Sequence, residues 1–115
     1  MPEITIISID DIINENFILT GVKCDERRAK SVDGCYSSYY YYDTFQEQIT
    51  SIVVSLIKGH FFIDGNKRTA LSTYIVLSQV NGLKYIEDTQ RQVDVFVEIA
   101  TTHKDISDYV KLLFP

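Results

Sequence analysis

The sequence predicts an all-α domain, on two observations: five segments carry apolar residues at helical spacing, and Gly and Pro are sparse enough to act as punctuation between them. With 115 residues and 45% hydrophobic content, the chain suits one compact core and is too short for two ordinary domains, so residues 1–115 read as a single domain.

The first helix is expected at about 8–19. Ser8 stands as an N-cap with the acid Asp11 three residues on, a variant of the capping box, and Ile9, Ile12, Ile13 and Phe17 then recur on one face. From Gly21 to Ser38 that pattern breaks. Lys23, Asp25, Glu26, Arg27, Arg28 and Lys30, punctuated by glycine, give a loop or a short exposed hairpin before the central helices.

Thr44 to Gly59 carries Phe45, Ile49, Ile52, Val53, Leu56 and Ile57, which describes a buried helix closing at glycine. Asn66 to Asn81, with Ala70, Leu71, Tyr74, Ile75, Leu77 and Val80, is a second buried helix. Two more are expected at about Asp88 to Thr101 (Val93, Phe96, Val97, Ala100) and Asp105 to Phe114 (Tyr109, Val110, Leu112, Leu113). The Tyr36 to Tyr42 cluster is assigned to packing at the entry of the helix that starts near Thr44.

Charge narrows the partners. Eleven Lys and Arg against 16 acids, a net −5, leave no broad basic face for nucleic acid, so any bound anion must be held by a local site. Cys24 and Cys35 have no CxxC or His neighbours and read as reduced thiols in a cytosol. No run of 18 apolar residues occurs, and the start MPEITIISIDD lacks the basic and long apolar regions of a signal peptide; a soluble, cytoplasmic protein that touches no membrane is expected.

Between the two buried helices lies His60-Phe61-Phe62-Ile63-Asp64-Gly65-Asn66-Lys67-Arg68-Thr69-Ala70. Asp64-Gly65-Asn66 is a tight turn feeding a helix, and a helix start presents unpaired N–H groups and partial positive charge. Gly65 permits close approach and positive φ, and the Asn66 amide is placed to donate to a phosphate or to cap the helix. Lys67 and Arg68 have the wrong sign for the macrodipole at that end, a cost of about a few tenths of a kcal/mol that a bound polyanion would reverse. Asp64 suits Mg²⁺ shared with phosphates. His60, an imidazole at the end of the preceding helix, suits proton removal from a hydroxyl. Together they read as a nucleotide-triphosphate cradle with a base beside it, and Phe62 as the residue that pins the loop to the core.

HFFIDGNKRTA resembles the signature of the Fic/Doc family, HxFx(D/E)(G/A)N(G/K)R, and matches it at His60, Phe62, Asp64, Gly65, Asn66, Lys67 and Arg68. The Asn-Lys-Arg-Thr-Ala ending is closest to the death-on-curing (Doc) toxins. The resemblance implies a compact all-α bundle and transfer of part of ATP to a protein hydroxyl. His60 would be the base, Asp64 the Mg²⁺ ligand, Asn66 with the turn amides the anion hole, and Lys67 and Arg68 the phosphate holders.

Lys67 stands where AMP-transferring members have glycine, and Leu71 where they have a second arginine. Both favour the γ-phosphate at the cradle, hence phosphoryl transfer; the resemblance to the Doc branch then implies a toxin that phosphorylates a threonine of elongation factor Tu and stops translation. Gly65, where the best-known Doc pattern has alanine, is the Fic-like exception, so AMP transfer stays as the alternative, beside a non-catalytic binding member.

The family's self-inhibitory (S/T)xxxE(G/N) pattern is absent: Glu15-Asn16 has Asp11 four residues before the Glu. That implies inhibition in trans by an antitoxin. The resemblance also places a flap, docking its target by strand pairing, near Arg27, Arg28, Lys30 and Ser31. A metal hydrolase is disfavoured because one His and one Asp do not supply three protein ligands.

Overall fold

The computed structural model describes residues 3–115, so Met1 and Pro2 of the stretch read above against a signal peptide lie outside it. The helices are α1 (Ile9–Thr20), α2 (Glu26–Val32), α3 (Phe45–Lys58), α4 (Asn66–Val80), α5 (Thr89–Thr101) and α6 (Ile106–Leu113), with two 3-10 turns at Asp33–Tyr36 and Tyr39–Tyr41. No strand occurs among the described residues. The all-α expectation holds, and all five helices expected from spacing lie within two residues of their expected limits.

Four of the helix starts are capped by a side chain, α2 among them as described below. Ser8 Oγ accepts from the Asp11 N–H at 3.0 Å. Thr44 and Glu47 make a reciprocal capping box, each side chain bonded to the other's backbone N–H at 3.1 Å. Asp88 accepts from the Arg91 N–H at 2.8 Å.

The central pair is α3 and α4, packed directly on each other. α3 contributes the buried Ile49, Ile52, Val53 and Leu56, and α4 the buried Ala70, Tyr74 and Leu77. α1 lies on α4, α6 on α3, and α5 covers both with Val95, Phe96 and Ile99.

Tyr74 ties this frame together. Fully buried, it donates from its hydroxyl to the Leu113 carbonyl at 2.6 Å and accepts from the Ile86 N–H at 2.9 Å, while its ring packs on Tyr85, Phe96 and Phe114. Tyr74→Phe keeps the ring and strands both buried backbone groups. It should lower the unfolding free energy by about 1–3 kcal/mol, read from urea denaturation midpoints.

The stretch from Gly21 to Ser38 corrects the expectation of a loop or hairpin. Asp25 accepts from the Arg28 N–H at 2.8 Å and starts α2, and Val32 and Cys35, three residues apart, are fully buried and hold α2 and the following 3-10 turn to the core. The backbone of Arg27, Arg28, Lys30 and Ser31 is used inside a helix, so strand pairing is not open to it. The sequence hid the helix because its apolar signal is barely one residue per turn.

The tyrosine cluster divides. Tyr36 donates to the Ile7 carbonyl at 2.6 Å and packs edge-on against Tyr39, whereas Tyr40 and Tyr41 are exposed. Both cysteines are free; burial pushes the Cys35 thiol up to about 12, which makes it an inert core group.

Candidate functional site

The α3–α4 connection is held at successive residues. His60 has φ +50°, the one non-glycine in the left-handed region among the described residues, a conformation costing roughly 1–2 kcal/mol. Its carbonyl accepts from Arg28 Nη1 on α2 at 3.4 Å. Phe61 lays its ring against Gly59 and Gly34; a Cβ on Gly59 would come within 2.6 Å of that ring. Phe62 is buried, as expected of a loop anchor, and its N–H and C=O are both bonded to the Asn66 amide, at 3.1 and 2.9 Å.

Asn66 therefore closes the loop; it does not cap α4. One Nδ2 proton remains beyond the bond to Phe62.

Gly65 is the N-cap of α4, at φ +75° and ψ +22°, and provides no side chain to cap it. Its own N–H donates to Asp64 Oδ1 at 2.8 Å, and the first helical bond runs from the Thr69 N–H to the Gly65 carbonyl at 2.8 Å. Between these, the N–H groups of Asn66, Lys67 and Arg68 have no protein partner among the described residues. The contrast with α1, α2, α3 and α5, each capped by a side chain, is direct. Gly65 also touches the next element: a Cβ there would overlap the Thr20 methyl of α1.

Arg68 bridges the turn and α1. Its Nη1 donates to the Leu19 carbonyl at 3.2 Å, at the C-terminal end of α1 where a cation is favoured, and its Nη2 lies 3.5 Å from Asp64 Oδ2. The exposed Arg68–Asp64 pair adds little stability, so its consequence is placement. Lys67 is exposed and makes no hydrogen bond or ion pair among the described residues. Among those residues no three His, Cys, Asp or Glu side chains gather into a metal site. Mg²⁺, which keeps several waters and shares substrate phosphates, needs only one or two carboxylates, and the exposed Asp64 fits that need.

His60, Asp64, Gly65, Asn66, Lys67 and Arg68 line one cleft of about 640 Å³. The structure thus brings together every site residue read from the sequence. Residues 25–78 match the family model described as Fic/DOC family. No curated protein matches the chain. The Fic/DOC match runs from the cap of α2 through nearly all of α4, so it contains the loop and both central helices; α1, α5 and α6 lie outside it.

The far wall of the cleft comes from beyond the Fic/DOC segment and went unread in the sequence. Ala100, Thr101 and His103 face the turn from the end of α5 and the connection to α6, with Lys58 beside them. Lys58 Nζ donates to the Thr102 carbonyl and sits 5.7 Å from the Tyr109 ring centre. Tyr109 donates to the same carbonyl at 2.8 Å and accepts from the Lys104 N–H at 3.0 Å, latching the segment that carries His103. Both histidines of the chain therefore line the cleft, with Lys58, Lys67 and Arg68, against one acid, Asp64. Only the count of histidines in the sequence could have pointed to His103. No helix among the described residues is long and apolar enough to cross a membrane.

Proposed function

We propose that this chain transfers the γ-phosphate of ATP to a hydroxyl of a protein target. The reading is supported above all by the three unpartnered N–H groups of Asn66, Lys67 and Arg68, opening into a cleft that gathers cations on an acidic protein. Such donors, fixed before the ligand arrives, stabilise charge that develops on phosphate oxygens without reorganising.

In this reading the polyphosphate lies along the start of α4, with Lys67 and Arg68 beside it. His60, on an immobilised backbone with an exposed side chain, accepts the proton of the target hydroxyl. The hydroxyl oxygen bonds to the γ-phosphorus as the bond to the β–γ bridging oxygen breaks, and ADP leaves with that electron pair. Mg²⁺ held by Asp64 would supply neutralisation of phosphate charge.

Two residues favour the terminal phosphate over AMP. Lys67 fills space at the turn, and Leu71, one helical turn on, packs against the core, so α4 offers no second cation there. Gly65 no longer weighs toward AMP transfer, because the contact with Thr20 accounts for it whichever group moves.

The resemblance to Doc toxins supports a translation-blocking toxin acting on a threonine of elongation factor Tu in the cytosol, held in check by an antitoxin. Glu15 supports inhibition in trans: its Oε1 accepts from Ser72 Oγ at 3.1 Å, so it is occupied along α4.

The deciding experiment supplies ATP labelled at the α- or the γ-phosphate with Mg²⁺ to bacterial lysate and purified protein. Label from γ alone on a protein is the expected result. Label from α assigns AMP transfer instead, and neither label, with ATP still bound, leaves a binding module.

A further inference from the structure

Asn16 lies on α1, outside the Fic/DOC match, and is 2% exposed. Its Nδ2 donates to the Asp64 carbonyl at 2.8 Å and to Thr69 Oγ1 at 3.0 Å, across 48 and 53 residues of sequence. These acceptors bracket the span from residue 64 to residue 69 that carries the free N–H groups. One amide therefore fastens the turn just before Gly65 and the buried first turn of α4 just after Arg68. A polar side chain this deeply buried is retained only where its bonds are made, and both of its donor bonds go to the turn.

We propose that Asn16 is a positioning residue for group transfer: it sets the distance between Asp64 and Thr69 and so aims the amides of Asn66, Lys67 and Arg68 before any anion binds. The neighbouring turn of α1 acts in the same direction, with the Leu19 carbonyl holding Arg68 and the Thr20 methyl filling the space beside Gly65. Asn16 touches no reacting atom. It acts through the turn, and the effect on rate rests on the transfer reaction proposed above.

The test has two independent arms in the full chain. In the first, ¹⁵N-labelled wild type, Asn16→Ala and Thr69→Val are compared by amide NMR without nucleotide. Single sharp resonances for Gly65 to Arg68 are expected in wild type, and exchange-broadened or doubled ones in both variants, with the resonances of α5 and α6 unchanged. In the second, transfer from labelled ATP is measured. Asn16→Ala should lower kcat by roughly tenfold to a hundredfold with KM for ATP changed less than about threefold, since preorganised donors act chiefly in the transition state. Thr69→Ser, which keeps an acceptor, should restore most of the rate that Thr69→Val loses.

Unchanged amide resonances at 65–68 in Asn16→Ala would overturn the positioning role whatever the activity. A wild type that transfers no label would overturn the proposed reaction and leave the NMR result to decide the role of Asn16. A variant kcat within twofold of wild type, with transfer intact, would sink the inference alone.

Discussion

His60→Ala should lower transfer of label from ATP by roughly 10²–10⁴ while the protein stays folded. The imidazole is exposed and bonds to nothing in the core, so its removal opens no cavity; in the proposed reaction only proton removal from the incoming hydroxyl would be lost. The backbone makes a second comparison informative. At φ +50° alanine keeps the left-handed strain and glycine relieves it, so His60→Gly should be more stable than His60→Ala by about 0.5–1 kcal/mol and equally inactive. Rates of the two variants with thermal melts of each would check this, and transfer at the wild-type rate in either would remove His60 from the mechanism.

The second large effect is at Gly65. Gly65→Ala places a methyl onto the Thr20 side chain at a residue held at φ +75°. Left-handed strain of roughly 1–2 kcal/mol and a comparable overpacking cost should together lower stability by about 2–4 kcal/mol. Because a shift of about 1 Å in a positioned group can cost on the order of a hundredfold in rate, transfer should fall as well. Thr20→Ser removes the offending methyl and keeps the hydroxyl that accepts from the Val22 N–H and donates to the Asn16 carbonyl. The double variant should therefore recover the overpacking part and most of the rate, with the dihedral strain remaining. A double variant no better than Gly65→Ala, by urea unfolding and by initial rate, would show that Thr20 is not what fixes glycine there.

The central frame was legible because its signals are local. Thr44 and Gly59 bound α3, Asp88 starts α5, and the apolar spacing of α3 and α4 leaves no other period. The motif was equally legible as a cluster of residue types, and Lys67 and Arg68 at a helix start carried the expectation of an anion site by their unfavourable sign. α2 was not legible, since Val32 and Cys35 are too few to show a helical stripe and their anchoring depends on tertiary packing, of α2 against α1 and of the following 3-10 turn against α3. The roles of Asn16, Thr20, Lys58 and His103 were hidden for a different reason: they meet the motif only through tertiary contact. Asn66 shows the limit of reading a residue type alone: of the two roles expected for its amide, it does not cap the helix but is bonded to Phe62, with one Nδ2 proton left over.

The gathering of Lys58, Lys67 and Arg68 against the single acid Asp64 at one cleft, on a chain of net charge −5, also shapes what happens before contact. The cleft is thus locally positive while the rest of the chain is more negative than the net charge states. A nucleotide or an acidic protein segment approaching from elsewhere is repelled, and one approaching the cleft is drawn in over about one Debye length, about 8–10 Å at physiological salt. Encounter is thereby selected by direction, and a protein built to cover this opening would complement it by presenting carboxylates.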